Sequence, residues 1–126
     1  MENPRRTPPE ELRRQAASKL VLAETARADG DLAEASRFTV YAAGLEMEAF
    51  ATFSKHDHKE RRRSGMAALR LYKQLADHYH VVTFGSLVLE ILDGHLSREA
   101  RQEIKAGVKE SRDHLPENPI PSAQNL

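Results

Sequence analysis

Along residues 31 to 54, DLAEASRFTVYAAGLEMEAFATFS, apolar side chains return at steps of three and four: Leu32, Ala35, Phe38, Ala42, Leu45, Ala49 and Phe53. That spacing lines them along one side of a 3.6-residue helix and predicts a buried face. Asp31 stands three residues before Glu34, a pattern in which the aspartate caps the first-turn amides and the glutamate reaches back to the capping residue. The helix should therefore open at Leu32. A flanking set, Val40, Tyr41, Met47 and Phe50, widens the apolar surface, so this helix requires two packed neighbours.

The same periodicity continues outward on both sides. Thr7 lies three residues before Glu10, with Pro8 at the first helical position, and this predicts a capping box opening a helix from about Pro8 to Ala28. Its apolar positions include Leu12, Ala16, Leu20 and Ala23. Asp29-Gly30-Asp31 closes it, with the glycine free to take the left-handed conformation, and so short a turn predicts an antiparallel hairpin. Downstream, a break near Ser54 to His56 leads into a third helix expected to run to about His80, with Gly65 inside it as a place for a bend or second break. His80-Val81-Val82-Thr83-Phe84 is strand-like, but one isolated strand could not satisfy its edges, so it reads as a buried connection. Ser86 to Leu92 then forms a short helix buried on most sides, stopped by Asp93-Gly94. Ser97 caps a last helix carrying Ala100, Ile104 and Val108 in one stripe and ending before Pro116.

The expected fold is all-α: a compact bundle of four to five helices opening with the antiparallel hairpin. It should occupy residues 8 to 115 as a single domain, between a flexible arm at 1 to 7 and a flexible, proline-bearing tail at 116 to 126.

The wording of the first hairpin, AETARADGDLAEASRFTVYAAGLE, resembles a tetratricopeptide helix pair, with Gly30, Ala35 and Ala42 in the small-residue places that permit close packing. That resemblance implies a helical hairpin. It covers about a quarter of the chain, no second copy follows at a 34-residue spacing, and the large aromatic positions of a repeat's first helix are missing. A generic alanine-rich hairpin accounts for the same letters.

Composition narrows the function classes. At 126 residues one core suffices, and the many alanines with only seven Phe and Tyr residues favour closely spaced helices. Nineteen basic against nineteen acidic side chains give no global attraction for nucleic acid or anionic lipid, although a local patch is compatible with either. Cysteine is absent, which removes disulfides, thiol catalysis and thiolate metal sites. With no apolar run long enough for a membrane span or a signal peptide, the expectation is a cytoplasmic protein with no membrane partner.

Charge is most concentrated between Ser54 and Lys73. Lys55, Lys59, Arg61, Arg62, Arg63 and Arg70 form a basic set there, suited to an acidic protein face or, alternatively, to nucleic-acid phosphates, and plain solvated surface is the bland reading. No aromatic interleaves the arginine run, which weakens any stacking on single-stranded bases. The pairs His56 and His58, and His78 and His80, are candidate metal ligands, yet residues two apart on a helix diverge. Among carboxylates on apolar helices, Glu24, Glu46, Glu48 and Glu90, the last is the most suggestive: pairing with an arginine or with His78 across the core would make a polar site, and reaching the surface from the one polar side of its helix is the plainer and favoured reading. Neither a nucleophile elbow nor a glycine-rich nucleotide cradle is present, and no cofactor is implied. The helix after Asp93-Gly94 mixes both charge signs, so ordinary packing is preferred to a DNA-reading helix-turn-helix. The functional expectation is a non-enzymatic protein-interaction, adaptor or regulatory domain in which the apolar remainder of helix two or helix four forms a homodimer or a docking face for the apolar face of another protein, while the basic run steers an acidic partner. A nucleic-acid-binding protein using residues 59 to 63 and a metal-binding bundle or enzyme stand as alternatives.

Overall fold

The computed structural model describes residues 6–116, and among these the chain forms five helices and no strand. They are α1 (Pro9–Ala28), α2 (Leu32–Thr52), α3 (His58–Gln74), α4 (His78–Ile91) and α5 (Arg98–Arg112). Helices α1 and α2 pack as the expected hairpin, α3 lies along α2, and α4 with α5 forms a second pair against α3. The fold is an all-α helical bundle. The expected tail lies almost entirely outside the described residues, as does most of the expected arm.

Cap chemistry explains the boundaries. At the first turn the amides of Gly30 and Asp31 return to the carbonyls of Arg27 and Ala26, and Gly30 has φ +81°. The Asp31 carboxylate then accepts from the Glu34 amide at 3.0 Å, so α2 opens where the pattern places it. The reciprocal half of that capping box is not made, because the Asp31 amide is already spent on Ala26 and Glu34 pairs with Arg37. At α1 the cap is Pro8 without any side-chain bond, and Thr7 does not cap; Pro9 takes the first helical position.

Helices α3 and α4 depart from the expected pattern in three ways. Helix α3 ends at Gln74, not near His80, and residues 80 to 84 are the first turns of α4, not a connection. The break has the same hydrogen-bond pattern as the one at Gly30: Ala76 and Asp77 donate to Lys73 and Tyr72, with Ala76 at φ 55° in the left-handed place. Asp77 then caps α4 by accepting from the His80 amide. Gly65 does not break α3, which runs through it. It is buried where the Phe50 ring presses on the helix, and an added Cβ would meet Cδ2 of that ring at 3.1 Å.

The core has two parts joined through α2. Between α1 and α2, Ala16, Ala42 and Ala49 are wholly buried with Leu12, Leu45 and Phe53, so the two helices meet closely. The larger part gathers Phe50 from α2, Leu69 and Tyr72 from α3, Phe84 and Val88 from α4, and Ile104 and Val108 from α5. Phe50 and Phe84 meet edge to face at 5.3 Å, and Gly85 lets α4 settle onto α5, since a Cβ there would stand 2.6 Å from Val108 Cγ2. Leu32 is 65% exposed despite falling on the predicted stripe. It opens α2 beside the turn, at the end of the hairpin, where burial stops.

Candidate ligand groove

Helix α3 carries Arg63, Met66, Ala67 and Arg70 at steps of three and four, while α5 presents Ser97, Glu99, Ala100 and Glu103 across from them. Arg62 adds to the α3 side and Arg13 reaches in from α1. These residues wall an open groove of about 480 Å³. Four guanidinium groups face this space, with Glu99 and Glu103 on its walls and Glu46 and Glu60 paired to Arg13 and Arg63.

The arginines are held in different ways. Arg70 forks onto Glu103, with Nε to Oε2 at 3.0 Å and Nη2 to Oε1 at 3.1 Å. That hydrogen bond from Arg70 first, aided by the charges of Arg70 and Lys73, holds the Glu103 carboxyl below its ordinary range. Arg63 pairs with Glu60 at 3.0 Å. Arg13 forks onto Glu46, Nε to Oε1 at 2.9 Å and Nη2 to Oε2 at 3.3 Å, with Glu60 at 3.8 Å on its other side. Arg62 donates to the backbone carbonyl of His95 at 3.3 Å, and among the described residues it forms no ion pair within 4 Å.

The basic set of the sequence is therefore divided. Arg62, Arg63 and Arg70 enter the groove, but Lys55 and Lys59 are exposed elsewhere. Arg61 lies 5.0 Å over the Phe50 ring and donates to the Phe50 carbonyl at 3.4 Å, which makes it a packing residue. Arg13, Ser97, Glu99 and Glu103 belong to the groove and escaped the sequence reading. One signal was available for Arg13. It stands seventeen residues before Gly30 and Glu46 sixteen after, so an antiparallel hairpin about that glycine sets them side by side.

The histidine pairs separate. His56 is exposed, while His58 stacks on His95 at 3.5 Å, His78 on His114 at 4.3 Å and His80 on Tyr72 at 4.6 Å. Among the described residues no three His, Asp or Glu side chains come together in a way that could hold a metal ion. Glu90 is exposed on α4, and the partner of His78 is instead Ser111, Nδ1 to Oγ at 3.0 Å. Ser111 is buried, and its bond to His78 joins α5 to α4. Glu46 is the buried carboxylate, 6% exposed.

No family model, curated protein or solved structure matches this chain. The groove's own chemistry then defines what it suits: guanidinium forks hold carboxylates or phosphates, and the floor of Met66, Ala67 and Ala100 favours a ligand with some apolar content. Among the described residues no helix is long and apolar enough to cross a membrane.

The stacked His58 and His95 tie the start of α3 to the α4–α5 turn, with His58 Nδ1 buried and unpartnered. Burial first, then the charges of His95, His56 and Arg61, hold the His58 imidazole below its ordinary range against an opposing pull from Asp57. The folded chain therefore prefers neutral His58. Its contribution to stability is complete above the unfolded value, near 6.5 for histidine, and is lost as pH falls through the depressed folded value. Urea midpoints measured from about pH 7 down to about pH 5 should fall more for the native chain than for His58→Phe, which keeps the stack but does not titrate. Parallel profiles would show that His58 is not responsible.

Proposed function

We propose that this protein is a non-enzymatic interaction domain that takes an acidic segment of a partner protein into the α3–α5 groove. The observation that carries the reading is the convergence of Arg13, Arg62, Arg63 and Arg70 on one open space, with Arg62 in no ion pair within 4 Å among the described residues. The spacing of the charges suits a peptide. An acidic chain offers carboxylates at intervals that guanidinium groups spaced along a helix can meet one by one, and the apolar floor suits side chains between them. A nucleic acid is less well served, because no aromatic ring lines the groove on which bases would stack.

The test is fluorescence anisotropy with a labelled glutamate-rich peptide and a single-stranded oligonucleotide of equal charge, at low and physiological salt. The peptide is expected to bind, more weakly as salt rises, and Arg62→Gln with Arg63→Gln should weaken it about tenfold, the sum of two charge-assisted contacts worth roughly 0.7 kcal/mol each. Tighter binding of the oligonucleotide would turn the reading to nucleic acid. An indifferent peptide at low salt would end it.

A further inference from the structure

We infer that the acidic ligand of this groove carries a small aliphatic anchor residue, seated in a slot beneath the Arg70–Glu103 ion pair. The inference rests on the groove reading above. Beside the groove, and sharing Met66, Arg70 and Glu103 with it, lies a cavity of about 30 Å³ whose inner wall is Leu69, Val81, Ile104 and the bare helix surface at Gly107. A water needs roughly 10–15 Å³ of such space and two to four polar partners, so this slot holds about two water-sized groups and offers them few hydrogen bonds. A branched aliphatic tip fits its size and polarity. An aromatic ring does not.

Gly107 supplies the second observation. A glycine inside a helix costs about 0.5–1 kcal/mol relative to alanine, which a fold tolerates readily where two elements must touch. Gly85 is such a place, but Gly107 is not: a Cβ there would meet only Val81 Cγ1, at an ordinary 3.8 Å. Packing therefore does not demand the missing side chain, and its absence keeps the slot open. The lid over the slot is also easy to move. Arg70 and Glu103 have 64% and 44% of their side chains exposed, and an exposed ion pair of this kind holds together only weakly. When a ligand arrives, Arg70 can exchange Glu103 for a ligand carboxylate while the anchor enters below.

Three peptides of one glutamate-rich sequence, differing at a single central position as Val, Gly or Phe, separate the two readings in the same anisotropy assay. The Gly peptide reports the arginine groove alone. The Val peptide should bind about tenfold more tightly than the Gly peptide, as burial of a small aliphatic side chain predicts, and the Phe peptide should gain nothing through the slot. In Gly107→Ala, which places a methyl in the slot and by its helix preference melts no lower than the native chain, the Val advantage should shrink while the Gly peptide binds as before. Equal binding of Val and Gly peptides to the native chain, or a Val advantage undiminished in Gly107→Ala, would overturn the anchor and leave the groove standing. Failure of all three peptides to bind would overturn the groove reading and the anchor with it.

Discussion

Phe50→Ala is expected to cost about 3–5 kcal/mol, the range for a fully enclosed aromatic ring, and so to remove a large part of the stability of an ordinary domain. The reason lies in how many elements meet at one ring. Phe50 is 2% exposed on α2, meets Phe84 of α4 edge to face, lies under Arg61 of α3 and fills the hollow that Gly65 leaves in the α3 surface. Truncation would open a cavity bounded by three helices, each pinned elsewhere, and such a cavity closes poorly. Urea unfolding should show a lower midpoint with little change in slope. A loss below about 1.5 kcal/mol, the level of a tolerated volume-conserving swap, would mean the helices can collapse onto the gap.

That ring also shows where the sequence was informative. Helix α2 announced its start and most of its packed stripe, because capping and periodicity are local signals that Asp31, Ala35, Ala42 and Ala49 express directly, whereas in the flanking set Phe50 is buried against its second neighbour and Val40 and Tyr41 are exposed. The boundary between α3 and α4 gave no comparable sign. There the left-handed place is taken by Ala76, an ordinary helix former, so nothing in the letters marks a stop and Asp77 passes for an interior residue.

The groove was half legible for a related reason. Arginines adjacent in sequence look like one patch, yet successive residues on a helix point about 100° apart, so Arg61 turns inward to Phe50 while Arg63 turns toward α5. The partners that shape the site are distant in the chain. Arg13 and Glu46 are 33 residues apart, as are Arg70 and Glu103, and a reading based on local pattern has no means of joining them. Glu90 has more apolar neighbours in sequence than Glu46, but burial is set by the facing helix. On α2 that facing helix brings Arg13, and on α4 Glu90 is exposed.

Arg13→Ala should cost about 2–3 kcal/mol, less than the roughly 3–5 of a wholly buried pair because the arginine itself is partly exposed. The asymmetry of the pair decides the outcome. The Glu46 side chain is 8% exposed against 30% for Arg13, so removing the arginine strands a carboxylate that water hardly reaches, beside the alanine-lined hairpin contact. Glu60, which faces the same guanidinium at 3.8 Å, keeps Arg63 as a partner and loses less. If stranding is the cause, Arg13→Ala combined with Glu46→Leu should recover most of the deficit, since a packed apolar pair in place of a buried ion pair is often neutral or better. Chemical denaturation of the native chain, both single variants and the double variant gives the coupling directly. A double variant as unstable as the sum of its singles would show that the two residues act independently and that the hairpin does not depend on their bond.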